Sequence, residues 1–333
     1  MKKVVPIFIP HAGCPHLCVF CNQKKISGQK EVSLRAVELQ IIRYLKWIKP
    51  SLSNEIAFYG GSFTALPLGL QTSLLMIGAK YIKNGYAGSI RISTRPDYID
   101  EKIANFLKEN HVRVIELGVQ SLDDTVLANA ERGHTAQQAI DAVNLLKREG
   151  FKVGMQLMVG LEDQSFESII ETVKITVALQ PDIARIYPVL VIRDTALADK
   201  FTKGLYKPLS LEEAVRQAHY INEKLTKAEI NVIRIGLQAD TELCAEGNII
   251  AGPFHPSFGE LVKSFAYREM IAKQLLAVKE TKQAICILCP PKILSQVKGL
   301  KKCNQIYWES LLPGTTLKII ADKSKTEPII TVL

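Results

Sequence analysis

Val112-Arg113-Val114-Ile115-Glu116-Leu117-Gly118-Val119 is a run of β-branched and apolar residues that reads as a strand. Residues 136–149 follow with apolar positions at helical spacing and stop at Gly150, and Val153-Gly154-Met155-Gln156-Leu157-Met158-Val159 returns to a strand. Strand, long helical crossover, strand is the unit of a parallel sheet. The same unit repeats outward in both directions. N-terminal to it lie strands at 4–9, 55–59 and 89–94 and helices at 34–48 (ended by Pro50), 69–82 and 98–109; C-terminal to it lie helix 166–179, stopped by Pro181, and strand 183–190. Six such units in about 200 residues predict an α/β fold with helices outside a parallel sheet. Six is two short of a closed eight-fold barrel, so the expectation is an open or partial (β/α)6 barrel with its chemistry at the C-terminal ends of the strands. Residues 191–280 are less regular, with a helix near 211–228, a strand at 231–235, a Gly/Pro-rich loop at 251–259 and a helix near 259–278.

The composition excludes several classes. The chain has 333 residues, 47% apolar, with 42 basic and 33 acidic side chains. That is too apolar for a disordered chain, and no apolar run approaches the roughly 18 residues of a spanning helix. The N-terminus lacks the apolar stretch and cleavage site of a secretory signal. A cytoplasmic protein without a membrane partner is expected. Its net charge of +9 is concentrated at the ends: residues 1–30 and 281–333 each carry +5, around a middle of −1. Two basic ends on a balanced body predict an anionic partner, either nucleic acid or an acidic protein.

Seven cysteines, an odd number, argue against a disulfide framework. Cys14, Cys18 and Cys21 fall within Gly13-Cys14-Pro15-His16-Leu17-Cys18-Val19-Phe20-Cys21-Asn22, directly after the first strand, and read as metal ligands. Three thiolates on a short loop suit a 4Fe-4S cluster and leave one iron open. Zinc, with His11 or His16 as fourth ligand, is the alternative. The remaining cysteines read as ordinary buried residues. Cys286 and Cys289 form a CxxC, but within a strand their side chains point to opposite faces.

The CxxxCxxC loop, with Phe20 before its last cysteine, resembles that of the radical SAM superfamily. Phe58-Tyr59-Gly60-Gly61-Ser62-Phe63-Thr64, Ile92-Ser93-Thr94-Arg95-Pro96-Asp97, Leu117-Gly118-Val119-Gln120-Ser121 with Glu131-Arg132-Gly133-His134-Thr135, and Met155-Gln156-Leu157-Met158-Val159-Gly160 extend the resemblance, in order, at successive strand ends. The resemblance implies that the open iron binds S-adenosylmethionine, whose one-electron cleavage yields a 5′-deoxyadenosyl radical. It assigns Gly60, Gly61 and Ser62 to the methionine amino group and Ser93 and Arg95 to the ribose and methionine. Gln120 and Arg132 would contact the cofactor, Arg132 pairing with its carboxylate. Gln156 and Met158 would contact the adenosine, and Phe20 would pack on the adenine.

The wording is narrower still in Pro10-His11-Ala12-Gly13-Cys14-Pro15-His16, Arg95-Pro96-Asp97-Tyr98, Ile186-Tyr187-Pro188-Val189-Leu190-Val191-Ile192-Arg193 and Arg234-Ile235-Gly236-Leu237. It resembles the branch that contains the catalytic subunit of Elongator, which modifies the tRNA wobble uridine, and more distantly the oxygen-independent coproporphyrinogen oxidases. With only 78 residues after His255, an acetyltransferase domain of the Elongator type is not expected. Residues 1–260 read as the barrel with its elaboration, and 261–333 as a small basic α/β extension. In that extension strand, helix, the turn Gly299-Leu300-Lys301-Lys302, helix, strand and strand resemble a KH core, with Lys302 in place of the second glycine of GxxG. The resemblance implies RNA, tRNA above all, as substrate, and a one-electron donor such as flavodoxin or ferredoxin. A tetrapyrrole-sized substrate, or an RNA- or haem-binding role without turnover, stays open on these residues. Tyr187, Arg193 and His255 are polar groups near strand ends or loops and receive no role.

Overall fold

A computed structural model describes residues 3–9, 14, 18–22, 33–238, 243–277 and 284–332. In chain order its first half runs β1 (Val4–Ile9), α1 (Leu34–Leu45), β2 (Glu55–Gly60), α2 (Leu68–Lys83), β3 (Ser89–Thr94), α3 (Glu101–Glu109), β4 (Val112–Gln120), α4 (Asp124–Asn129), α5 (Ala136–Arg148), β5 (Lys152–Val159), α6 (Phe166–Leu179) and β6 (Ile183–Pro188). The helix starts are written locally. The Asp100 carboxylate accepts from the Ile103 N–H at 2.7 Å, and Thr135 with Gln138 forms a reciprocal capping box on α5. Helix α6 ends on Gln180 in the left-handed conformation, just before Pro181.

The chain continues through β7 (Val191–Ile192), α7 (Ala196–Thr202), α8 (Leu211–Lys227), β8 (Asn231–Ile235), β9 (Ile249–Ala251), α9 (Phe258–Ala277), β10 (Ile285–Cys289), α10 (Leu294–Lys298), α11 (Cys303–Leu311), β11 (Leu317–Ala321) and β12 (Ile329–Val332). Seven strands form one all-parallel sheet in the order β1-β2-β3-β4-β5-β6-β8. The strand at 231–235, read from sequence as part of an irregular region, joins as the seventh and forms one edge. Strands β7 and β9 make a short antiparallel pair.

Along each strand alternate residues face the helices. Val5, Ile7 and Ile9, Ile56 and Phe58, Ile90 and Ile92, Ile115 and Leu117, Val153 and Met155, and Ala184 and Ile186 are buried in one continuous core. Each large side chain there contributes about 2 kcal/mol of burial. The opposite face carries Tyr59, Arg91, Ser93, Glu116, Gln156, Met158, Arg185 and Tyr187. In a flat sheet β2 and β6, four strands apart, would be separated by about 19 Å. Yet Arg185 Nη2 donates to the Tyr59 hydroxyl at 2.9 Å, so the sheet curls and this face becomes the wall of a lumen. Closure at β1 needs a glycine. Gly60 has φ +125°, and a Cβ there would stand 2.1 Å from the Ile9 carbonyl oxygen.

The last elements build a second core from Ile271, Leu275, Ile285, Ile287, Cys289 and Trp308. Its sheet has the order β11-β10-β12, with β10 parallel to β11 and antiparallel to β12. Arg268 of α9 sits between the Phe265 and Tyr307 rings, 4.3 and 4.8 Å from their centroids. Cys286 and Cys289 are both buried in β10, with Cys289 in the helix-covered core and Cys286 beside Lys318 and Thr331. Cys244 and Cys303 depart from the expectation of burial: both are exposed. Cys303 opens α11 at a surface turn, and Cys244 lies in the loop before β9.

Candidate active site

The cysteine loop leaves the C-terminal end of β1 and is tied down at two points. Val19 N–H donates to the Ala130 carbonyl at 3.2 Å, and Leu197 N–H of α7 donates to the Val19 carbonyl at 2.7 Å. The Cys21 N–H donates to the Cys18 carbonyl at 2.9 Å. Arg132, held in the turn between α4 and α5 by its own N–H on the Leu127 carbonyl, reaches back to this loop. Its Nη1 donates to Cys18 Sγ at 3.1 Å and its Nη2 to the Gly118 carbonyl at 2.5 Å. Gly118 leaves room for this, since a Cβ there would crowd Gln120 Nε2 at 3.1 Å and Arg132 Nη2 at 3.4 Å.

Arg95 completes the group. Its guanidinium grips Asp97 through Nε and Nη2 at 3.0 and 2.9 Å, donates to the Arg132 carbonyl, and is buried. Its backbone N–H donates to Ser62 Oγ at 3.3 Å, and Ser62 Oγ in turn lies 2.8 Å from Thr94 Oγ1. Burial and the neighbouring Cys18 push the Cys14 thiol up, while Arg95 and Arg132 pull against them. His134 is also buried here. Burial, then the charges of Arg132 and Arg95, hold its imidazole down to about 4.

A second group lies deeper in the lumen. Gln156 Nε2 donates to Ser93 Oγ at 3.1 Å and to Glu116 Oε2 at 3.4 Å. Glu116, 1% exposed, is the hub. It accepts from Arg91 Nη1 at 2.7 Å, Arg185 Nε at 2.5 Å, Arg185 Nη2 at 3.0 Å and the Tyr59 hydroxyl at 3.1 Å. Arg91 also grips Glu55 through Nε and Nη2 at 2.9 and 2.6 Å. Burial raises the Glu116 carboxyl, but Arg185 and Arg91 outweigh it and hold the group below the usual carboxylate range. Phe20 and Met158 each pack against the small core around Val19, Val189 and Leu197.

The family description "Radical SAM superfamily" matches residues 8–175, and "Radical_SAM C-terminal domain" matches 181–268. The chain belongs to the radical SAM superfamily. It is an enzyme, and its cofactors are those of the superfamily, a 4Fe-4S cluster and S-adenosylmethionine. This radical SAM protein is 26% identical over 375 residues to the tRNA uridine(34) acetyltransferase of Methanocaldococcus jannaschii, covering 99% of this chain and 66% of that protein. It is 28% identical over 260 residues to mouse Elongator complex protein 3, covering 64% of this chain and 47% of the other. A solved structure of archaeal Methanocaldococcus infernus Elp3 superposes with a TM-score of 0.63 at 25% identity, over 81% of this chain and 63% of that one. The chain thus spans about two thirds or less of the length of these relatives.

The residues present fit the superfamily's cofactors. Arg95 Nη1, Arg132 Nε and Gln120 Oε1 are buried, with no hydrogen-bond partner among the described residues. Two guanidinium donors left unsatisfied beside Cys14 and Cys18 are costly unless an anionic group completes them. Of the residues singled out from sequence, Cys14, Cys18, Ser62, Arg95, Gln120 and Arg132 come together, as do Ser93 and Gln156, while Phe20 and Met158 border the same small core. Among the described residues, no three histidine, cysteine or acidic side chains are gathered around one point. Sequence reasoning missed the Glu55–Arg91–Glu116–Arg185 network and gave His134 no part. Arg91, Glu116 and Arg185 each stand between apolar neighbours within a strand (Ile90-Arg91-Ile92, Ile115-Glu116-Leu117, Ala184-Arg185-Ile186), which marks them as unusual without pairing them.

Proposed function

We propose that this radical SAM enzyme modifies tRNA, at the wobble uridine that the name of its archaeal relative specifies. Cys14, Cys18 and Cys21 would hold the cluster. Gly60, Gly61, Ser62, Ser93, Arg95, Gln120, Arg132, Gln156, Met158 and Phe20 would seat S-adenosylmethionine. When bound, this pair of cofactors supplies hydrogen-atom abstraction after one-electron cleavage of the sulfonium. The single observation that carries the seat is the pair of buried, unsatisfied guanidinium donors of Arg95 and Arg132 beside the cysteine loop. Arg132 fixes the cofactor's carboxylate and screens Cys18. Arg95, locked by Asp97 and bonded to the Arg132 carbonyl, keeps its remaining donor buried and open for the cofactor. The apolar cluster around Phe20 and Met158 excludes water from the adenosine side.

The tRNA assignment is supported by the relative that matches 99% of the chain and by the two basic ends. The extension proposed at 261–333 would grip the RNA backbone. Its turn between α10 and α11 places Lys301 and Lys302 at φ +50° and +62°, the left-handed region that glycine adopts without strain. The barrel domain is proposed to span 1–260, the electron donor to be an acidic flavodoxin or ferredoxin, and the site of action to be the cytoplasm. Among the described residues no helix is long and apolar enough to cross a membrane. The test is nucleoside mass spectrometry of unmodified tRNA incubated with the reconstituted, reduced enzyme. A uridine-derived nucleoside of altered mass supports the reading; intact tRNA alongside consumed S-adenosylmethionine refutes it.

A further inference from the structure

The lumen wall has a composition that the cofactors do not account for. Phe8 is 45% exposed, although Ile7 and Ile9 beside it are buried. It points into the lumen from β1, the edge of the sheet. Its partner in register is Tyr59, and the two rings lie 6.0 Å apart, tilted by 39°. Across the lumen the Arg185 guanidinium stands over the Tyr59 ring at 5.1 Å, and its Nη1 donates to the Tyr187 hydroxyl at 3.3 Å. Tyr187 is the register neighbour of Met158, so this wall adjoins the proposed adenosine side.

The hydrogen-bonding inventory of that wall leans toward donors. Both Glu116 oxygens are engaged by Arg91, Arg185 and Tyr59. Arg185 Nη1 has a second N–H to give. The Tyr187 hydroxyl accepts from Arg185 and has no acceptor for its own proton among the described residues. Burial pushes that phenol up, so it remains a donor at neutral pH. The network's charges cancel, two carboxylates against two guanidiniums. An anion therefore meets no unpaired cation in it, and the acceptors left open on this wall among the described residues are few, Gln156 Oε1 and the second lone pair of the Tyr187 hydroxyl. What fits is an uncharged planar ring with carbonyl oxygens on its edge, one face laid on an aromatic side chain.

We infer that Phe8, Tyr59, Arg185 and Tyr187 form the seat of the substrate's base, an unstacked uracil whose carbonyl edge meets Arg185 and Tyr187 while its face stacks on Phe8. The inference rests on the tRNA reading above and adds which residues hold the base and how. A base in its own helix cannot reach a lumen walled by strands, so the nucleotide is extruded from its stack. Phe8 lies on the side away from the main core, so replacing it leaves Val5, Ile7 and Ile9 in place.

The test uses an anticodon stem-loop carrying a single 5-iodouridine at position 34, irradiated on the full-length protein, with the crosslinked peptide mapped by mass spectrometry. The crosslink is expected at Phe8 or Tyr59. In a parallel binding titration F8A weakens binding of the unsubstituted stem-loop about tenfold, the scale of one base–aromatic stack, and F8Y restores it. Y187F raises KM for the RNA more than it lowers kcat. If the stem-loop is bound and modified but the crosslink maps elsewhere, or if F8A binds as well as the wild type, the seat is wrong while the tRNA function stands. If the wild type neither binds nor modifies the stem-loop, the tRNA reading itself falls and the seat with it.

Discussion

Replacing Glu116 by glutamine tests the lumen network where it is most constrained. The carboxylate accepts from two arginines, a tyrosine and a glutamine while 1% exposed. Glutamine keeps one acceptor oxygen and turns an NH2 toward a guanidinium. Arg91 keeps Glu55 at 2.6 Å, so Arg185 is the cation left uncompensated, and the network moves from neutral to +1. Removing one partner of a buried pair costs about 3–5 kcal/mol. In a chain of this size that lowers the melting temperature by roughly 4–7 °C. The assay is thermal unfolding of E116Q, R185M and the double variant. Since the double variant removes both charges, its loss should fall short of the sum of the singles by at least about 1.5 kcal/mol. An E116Q protein that melts within about 2 °C of wild type, or a strictly additive double variant, would show that the network does not brace the curl between β2 and β6.

Three further outcomes are expected. His134, held down to about 4, favours the folded state only while neutral. Its contribution is complete above the ordinary value near 6.5 and is lost as pH falls toward 4, up to about 3 kcal/mol; H134L should flatten the stability–pH curve in that window. G60A meets both a φ of +125° and a Cβ 2.1 Å from the Ile9 oxygen, so it should lose more than about 3 kcal/mol, read by denaturant unfolding. K302G relieves a left-handed lysine, so stability should hold or rise by about 0.5–1 kcal/mol. Its tRNA affinity should fall and become less salt-dependent. Unchanged affinity across a salt titration would remove Lys302 from the interface.

The fold was legible because one face of each of the first six barrel strands is apolar. Val5, Ile7 and Ile9 or Ile115, Leu117 and Val119 announce strands by themselves, and the crossover helices carry their own caps at Asp100, Thr135 and Ser210. Asn231–Ile235 was harder to place, since none of its residues is fully buried, and an edge strand leaves a weak pattern. The cysteine loop was legible as a motif, and Arg95, Gln120 and Arg132 were singled out through resemblance. The lumen network was not. Tyr59 and Arg185 are 126 residues apart and meet only because the sheet curls. Read singly, Glu55, Arg91 and Arg185 look like solvated charges. Their pairing is a property of strand order and curvature, which no local pattern encodes.

The central claim is that the cysteine loop and the Arg95–Arg132 pair form a working S-adenosylmethionine site that answers to RNA. The most direct measurement is 5′-deoxyadenosine release by the anaerobically reconstituted, dithionite-reduced enzyme, with and without tRNA. Release that rises when tRNA is added is the predicted result. No release from a protein fully loaded with iron and sulfide would contradict the claim at its root, and release indifferent to tRNA would contradict the assigned substrate.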